Sequence, residues 1–411
     1  PSGLANWLGA GIATPALRLL SGAGFSANVD LAPGMQRFDA LELAVGSSML
    51  KGSASRRTDG ERPLVELALK GDTLDLGMFA AFGGMFVNGS ADLPDLGHDL
   101  ALTLDAGPVT ASGLEADAFG LTARVKEDRA DIDRLMVTNL AGASLSATGS
   151  LTDLSLTPSG TVDVSIVSAD GAELISTLAA QFSGPDWLSL AADRIGATPD
   201  LLSDAQLSFI ASTAPEDKDR SWTLSGNAKA ASGSASFTGN WKSGEDLGDA
   251  DGGWQVTATQ REPLNFLSLA GVDLVPLGAP GPATVELKAN GNPAVSLELE
   301  FAYSAEGTSA TFAGTRSNGA DGPLLAGKVS LTSDDLDPYL LATGLALPGT
   351  GFGTPVTLQT TMSSSGGSLE MKDIAASVGE AKVSGDLGIT TSGERLKVGG
   401  GLVADRLDAA W

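Results

Sequence analysis

Residues 307–314 read Gly-Thr-Ser-Ala-Thr-Phe-Ala-Gly, and this glycine-bracketed strand pattern decides the fold because it recurs along the chain. Similar brackets occupy 46–52, 142–149, 233–239 and 379–385. Each bracket is followed by a second apolar strand and an acidic or proline-containing exit, at 73–79, 169–175, 262–267, 334–340 and 406–411. Such units cannot bury their apolar faces alone and stack on their neighbours. The sequence therefore predicts a repeat protein.

The repeats indicate one elongated array rather than several domains. No linker, low-complexity block or change of composition separates them. We place the units at approximately 23–90, 91–196, 197–275, 276–345 and 346–411. The chain starts at Pro1 without Met and stops at Trp411 inside a repeat exit. We therefore expect a single β-rich array, 1–411, that is truncated at both ends.

Period-two alternation predicts a mainly β fold. Val295, Leu297, Leu299, Phe301 and Tyr303 alternate with smaller or charged residues, a pattern typical of antiparallel strands with one apolar face. We expect one long, twisted sheet, curled into a groove or roll. Short helices are predicted after the exits: at 77–87, at 171–182, and after Pro263 and Pro338, with a further candidate at 4–20.

The composition limits the classes of function. Hydrophobic residues make up 42% of the chain, which excludes disorder. The formal net charge of −25 argues against binding to nucleic acid, and equally against docking of this surface on anionic lipid headgroups. The chain has no cysteine, which removes disulfides and thiolate chemistry. No apolar run reaches the roughly 18 residues of a membrane span.

Motifs for catalysis or metal binding are weak. His98 is the only histidine, so a catalytic triad or a histidine metal site lacks partners. The acidic loop 245–253 lacks the spacing of a calcium loop, and Gly83-Gly84 and 399–401 lack the context of a phosphate cradle. We expect a turn histidine, a solvated loop and strand bends. The sequence therefore predicts no enzyme, no metal and no cofactor.

The acidic residues at the repeat exits have a structural explanation. Asp75, Asp335 and Asp408, with Asp170 as a looser match, each stand where a strand passes into a helix-like run. A carboxylate there accepts hydrogen bonds from the free N–H groups of the first helical turn. We predict that these residues cap helices and are not ligands.

The exits also carry a resemblance. Thr73-LDLGMF, Asp334-DLDPYL and Leu402-VADRLDAAW, with 62–76 and 142–151 before them, resemble the AsmA-like family of Gram-negative envelope proteins. The resemblance is clearest over 38–90 and 320–411. It implies a periplasmic protein, tethered to the inner membrane by a segment outside this chain, whose rolled sheet carries lipid towards the outer membrane. Phospholipid or other acyl chains are the implied ligands, with inner- and outer-membrane proteins as partners at the two ends.

The predicted lining of such a groove is aliphatic. About twenty strands, each with several apolar residues, form a larger apolar surface than a few short helices can cover. The face is therefore either an open groove or a closed core. The lining residues are Leu100, Leu102, Leu104, Val162, Val164, Ile166, Val295, Leu297, Leu299, Phe301, Leu396 and Val398.

Two further functions remain open beside lipid transfer. The first is a structural or adhesin-like β-repeat scaffold with a closed core and no lipid role. The second is a polysaccharide lyase on a β-solenoid, which needs basic and acidic residues clustered on one face. The lysines and arginines are scattered along the chain, so the sequence favours the lipid-handling protein.

Overall fold

A computed structural model of the chain describes residues 24–83, 98–111, 113–154, 158–181, 186–198, 200–216, 219–243, 251–275, 277–319, 322–345, 353–392 and 395–406. The fold is mainly β, with 69% strand and 11% helix. Twenty-one strands belong to one predominantly antiparallel sheet that is not closed into a barrel. The predicted fold class, antiparallel strands with few short helices, is confirmed.

The described strands are β1 Gly24–Ala32, β2 Met35–Val45, β3 Ser48–Arg57, β4 Leu64–Gly71, β5 Leu74–Asp75, β6 Asp99–Ala106, β7 Val109–Ala111, β8 Leu114–Ala116, β9 Ala118–Lys126, β10 Arg129–Leu140, β11 Ala143–Thr152, β12 Ser159–Asp170, β13 Ser203–Glu216, β14 Asp219–Ala230, β15 Gly233–Ser243, β16 Asp251–Gln260, β17 Ala283–Asn292, β18 Ser296–Ala305, β19 Thr308–Gly319, β20 Gly322–Ser333, β21 Val356–Ser365, β22 Ser368–Val378, β23 Ala381–Ser392 and β24 Arg395–Ala404. The described helices are α1 Leu76–Gly83, α2 Gly171–Gln181, α3 Asp186–Gly196, α4 Leu264–Leu269 and α5 Asp337–Ala342.

The chain divides into two compact units. Unit 1 comprises Pro1–Ser189 and Ser203–Glu216, and unit 2 comprises Leu190–Leu202 and Asp217–Trp411. In unit 1, the strands of the large sheet follow the order β1-β2-β3-β4-β6-β9-β10-β11-β12-β13. In unit 2, β14 to β24 pair in chain order. Each unit is therefore built mainly from hairpins.

One pair in unit 1 departs from the hairpin pattern. β4 and β6 are parallel, and the segment between them contains α1. A parallel pair needs such a crossover connection, whereas antiparallel strands need only a tight turn. A small sheet of β5, β7 and β8 lies beside this crossover, with Leu74 paired to Val109.

The tightest packing in unit 1 lies where the strands meet α1. Leu50, Leu69 and Leu104 have almost no exposed surface, and Met78 and Phe79 of α1 pack against their cluster. Burial of each such leucine contributes about 1.5–3 kcal/mol. The helix therefore covers the apolar side of the sheet at one end of the strands.

The helix predictions are confirmed where the structure describes the residues. The run predicted at 77–87 begins as α1 at Leu76, the run at 171–182 is α2, and short helices follow Pro263 and include Pro338. The candidate at 4–20 and the end of the fifth exit, 407–411, lie outside the described residues. Helix α3 was not predicted, although Leu188, Ala191 and Ile195 recur at helical spacing.

The strand predicted from Val295 begins one residue later. The N–H of Val295 donates to the carbonyl oxygen of Asn292 at 3.1 Å, and the N–H of Ala294 donates to the Asn292 side chain at 2.8 Å. The chain is therefore still turning at Val295, which is 67% exposed. The prediction that Val295 belongs to the alternating strand was wrong, because the asparagine turn extends through it.

Candidate functional site

One face of the large sheet in unit 1 is apolar across successive strands. Residues paired side by side in a sheet share a face, so the register identifies that face directly. One cross-strand row consists of Leu104, Leu121, Leu135, Ala147, Val164 and Phe209. The next row consists of Leu102, Ala123, Ile132, Gly149, Val162 and Ala211. Predicted lining residues that lie far apart in sequence are therefore brought into common rows.

Unit 2 repeats this arrangement with a different set of residues. One row consists of Phe237, Val256, Leu287, Phe301, Phe312 and Val329. A second row consists of Leu297, Arg316, Leu325, Ser364, Leu369, Ile389 and Val398. Leu396 pairs with Thr391, two positions before Val398 in β24. We call this side of each unit its apolar face.

The opposite side of each unit is polar. In unit 2, Lys288, Glu300 and Lys328 stand on this side, and the Lys288 ammonium lies 3.5 Å from the Glu300 carboxylate. In unit 1, the Arg129 guanidinium donates to the Asp131 carboxylate at 2.7 Å, and this hydrogen bond lowers the pKa of Asp131. Charged and hydroxyl side chains thus make one side of each unit suitable for contact with water. The aliphatic residues lie on the apolar face.

The apolar faces are closed at one end of the strands and open elsewhere. Leu104 is buried, whereas Leu297, Leu299 and Phe301 are half-buried. Val398 on β24 is 61% exposed. A protein in water seldom leaves such a contiguous apolar surface without a ligand or partner. This surface is the candidate functional site in each unit.

Three tryptophans stack on the apolar face of unit 2. The Trp222 and Trp241 ring centroids are 6.1 Å apart with the planes at 7°, and those of Trp241 and Trp254 are 4.8 Å apart at 19°. Glycine makes room for this stack, because a Cβ at Gly239 would lie 2.5 Å from the Trp254 ring. Sequence analysis placed Trp241 and Trp254 near paired strand ends but did not predict the stack.

The acidic exit residues differ in what they contact. Asp75 accepts the N–H of Met78 at 2.9 Å and Asp170 accepts the N–H of Ala172 at 2.9 Å, so both cap helices as predicted. Asp335 precedes the α5 N-cap, Leu336, and its Oδ1 accepts the N–H groups of Asp337 and Thr354.

The prediction that Asp335 is the helix cap was therefore wrong, because its carboxylate ties the turn before the helix to the segment that leads into β21. Glu262 repeats this arrangement before α4. It accepts the N–H groups of Leu264 at 3.2 Å and Ala279 at 3.1 Å. Asp408 lies outside the described residues.

The remaining candidates from the sequence are His98 and the acidic loop 245–253. His98 lies half-buried directly before β6, and most of the acidic loop, 244–250, lies outside the described residues. Among the described residues, no group of three or more histidine, cysteine, aspartate or glutamate side chains is arranged to hold a metal ion.

A cleft of about 760 Å³ lies along β20 to β23 and reaches the end of β24 in unit 2. Its hydroxyl-bearing lining residues Ser330, Thr332, Thr357 and Ser377 belong to the polar side. This cleft is therefore separate from the apolar face and was not predicted from sequence.

The comparisons with known proteins found no match, whether with a family model, a curated protein or a solved structure. The resemblance to the AsmA-like family thus stays a prediction from sequence. In the part of the chain that the structure describes, none of the helices combines the length and the apolar character needed to cross a membrane.

Proposed function

We propose that this protein is a non-enzymatic cell-envelope protein whose apolar β-face binds lipid acyl chains and conducts lipid between membranes. The observation that carries the proposal is the apolar face of each unit, which continues from strand to strand in the register and stays half-exposed in its middle rows. An aliphatic face of this kind suits acyl chains, which offer only methylene groups for contact.

The energetics of lipid transfer require such a face. A two-chain phospholipid has on the order of 30 methylenes, and at about 0.8 kcal/mol each its exposure to water costs roughly 20 kcal/mol. A protein lowers this barrier by offering apolar surface along the whole path. The leucine, valine, alanine and glycine positions of the rows supply that surface without a side-chain-specific pocket, which suits bulk transport.

The cellular setting belongs to the same proposal. The resemblance of the repeat exits to AsmA-like proteins supports a location in the periplasm, with a tether to the inner membrane outside this chain and protein partners at the two membranes. The polar side, with its charged and hydroxyl residues, suits contact with an aqueous compartment.

A structural scaffold is the second candidate, and the closed cluster around Leu50 and Leu104 favours it for the helix-covered end of unit 1. The two functions differ in whether the open part of the face holds lipid. The experiment is to purify the chain from bacteria, wash it free of detergent, and measure co-purifying lipid by native mass spectrometry and by extraction. Bound phospholipid at a reproducible ratio to protein supports lipid handling, and its absence supports the scaffold.

A further inference from the structure

The apolar faces carry very few charges, and their placement is uneven. Among the described, paired positions of the large sheet on this face, the cations are Arg56 in unit 1 and Arg220 and Arg316 in unit 2. The one acid is Asp170, the last residue of β12, where it caps α2. The chain contains 50 acidic and 25 basic residues, so a face whose open part has only arginines departs from the composition.

All three arginines lie at the same end of their strands. Ser48 begins β3 at the end near α1, where it is buried and accepts the N–H of Asp75. Arg56 lies near the other end of β3. Arg316 lies at the far end of β19 from Thr308, which pairs with Ser333 before α5. Arg220 is two residues before Trp222 at the start of β14. Each arginine therefore lies at the end of its apolar face that the helices leave uncovered. We call this end the arginine rim.

The guanidinium groups at this rim are open to a ligand. Neither Arg56 nor Arg220 forms a hydrogen bond or ion pair with any residue that the structure describes. Arg316 donates from Nη1 to the carbonyl oxygen of Pro293 at 3.2 Å, which occupies one of its five N–H donors. Arginine binds phosphate through paired N–H donors, and its stem packs on apolar surface.

The dimensions of the face match an acyl chain. Arg316 lies six positions along β19 from Ala310, whose row also contains Tyr303 at the helix-covered end. At about 3.4 Å per residue this run is about 20 Å long. One leaflet of a bilayer has about 15 Å of hydrocarbon, half of its apolar core. An acyl chain laid along the strands therefore fits between the arginine rim and the helices.

We propose that Arg56, Arg220 and Arg316 each hold the headgroup of a separate acidic phospholipid, whose acyl chains lie along the apolar face of the unit to which that arginine belongs. This inference rests on the proposed function and adds the class of lipid and its orientation. The net charge of −25 opposes docking of the whole surface on an anionic membrane. It does not oppose binding at these arginines, because every acidic side chain at the described, paired positions except Asp170, at the helix-covered end, stands on the opposite side of the sheet.

The test measures which lipid the whole chain selects. The protein is incubated with vesicles that contain equal amounts of phosphatidylglycerol and phosphatidylcholine with identical acyl chains, re-isolated, and its bound lipids are counted by mass spectrometry. We expect phosphatidylglycerol to be enriched about fivefold, the factor that corresponds to about 1 kcal/mol for one cation near an anionic lipid. In the variant Arg56→Gln/Arg220→Gln/Arg316→Gln, the enrichment should fall to about one while the total bound lipid is retained.

The chain offers a matched control for the loss of charge. Arg57 follows Arg56 but stands on the polar side, where it pairs with Glu66 at 3.4 Å, and Lys328 is on the polar side of β20. The variant Arg57→Gln/Lys328→Gln should keep the enrichment of wild type. Equal binding of both lipids by wild type, or enrichment that survives the triple substitution, overturns the headgroup proposal alone. Absence of either lipid from wild type overturns the proposed function as well.

Discussion

The phenol oxygen of Tyr303 lies 3.0 Å from the phenol oxygen of Tyr339. Tyr303 stands on the apolar face of β18, and Tyr339 belongs to α5. Phe266 of α4 meets the Tyr303 ring edge-on, with the centroids 6.3 Å apart. Two short helices of unit 2 are therefore fixed to one end of the apolar face through a single tyrosine, which closes that end and leaves the arginine rim open.

This pair predicts an alkaline titration that reports on the site directly. Burial, followed by the hydrogen bond to Tyr339, raises the pKa of Tyr303 above its ordinary value of about 10. The folded state holds the Tyr303 proton more tightly than the unfolded state does. The protonated phenol therefore stabilises the fold below a pH of about 10, and this stabilisation is lost as the pH rises further. We expect the free energy of unfolding to fall above that pH.

The measurement is simple because Tyr303 and Tyr339 are the only tyrosines in the chain. In Tyr339→Phe, the phenolate absorbance comes from Tyr303 alone. Burial remains in this variant, so the absorbance should rise at a pH above about 10. Chemical unfolding should restore the ordinary titration. A folded Tyr339→Phe protein that titrates like free tyrosine contradicts the burial of this ring.

The tryptophan stack yields a second prediction, for Gly239→Ala. The added Cβ meets the Trp254 ring at 2.5 Å, so the ring must move off the strand. We expect a loss of about 1–3 kcal/mol in the free energy of unfolding and a weaker exciton couplet in circular dichroism. Gly401→Ala in β24 is the control, because a Cβ there meets nothing within 4 Å. An unchanged couplet in Gly239→Ala would exclude close stacking of Trp254.

Much of the fold follows from the two-residue period of the sequence. Leu297, Leu299 and Phe301 fall on one side and Glu298 and Glu300 on the other, as the alternation requires. The period fails where the chain bulges. In β22 the register shifts between Met371 and Ile374, and Asp373 has φ of 52°. A bulge places two residues of one strand opposite one residue of its partner, which changes the residues that share a face. A single sequence does not show where such an extra residue lies.

The site was predicted in composition but not in arrangement. The sequence identified the aliphatic positions, since each strand shows them locally. It did not show that Leu102 and Val162 stand in one row, because that depends on the pairing of β6, β9, β10, β11 and β12. The arginine rim was missed for the same reason. Arg56 and Arg57 are adjacent in one strand and therefore lie on opposite sides, but only the register shows that Arg56 is the one on the apolar face.

A third prediction concerns the carboxylate of Asp335. Its Oδ1 accepts the N–H of Asp337 at 2.9 Å and that of Thr354 at 3.2 Å, so Asp335→Ala removes both hydrogen bonds. We expect a loss of about 1 kcal/mol in the free energy of unfolding. Asp335→Asn should restore most of it because its carbonyl oxygen accepts the same bonds. The neighbouring variant Asp334→Ala serves as the control, and urea unfolding is the measurement.

The contacts of Asp335 are made to backbone N–H groups, so added calcium should not change the melting temperature of the wild type. A calcium-dependent rise that disappears in Asp335→Asn would contradict the structural role, because asparagine keeps the hydrogen bonds but is a poorer cation ligand. That result would also favour a metal-stabilised adhesive array over a lipid-binding protein.

The last prediction places a charge in the middle of the apolar face. Leu299 lies between Ala289 and Gly314 in its row, and it is half-buried. In Leu299→Asp, a carboxylate interrupts the acyl-chain path and is costly to bury beneath a lipid. Stability in a repeat array is roughly a sum of local contributions, so the fold should survive. We expect lipid binding to fall at least about tenfold, measured with a fluorescent phospholipid. Thr311→Asp adds the same charge on the polar side and should bind lipid normally. A folded Leu299→Asp protein that binds lipid as tightly as the wild type refutes the acyl-chain path at this row.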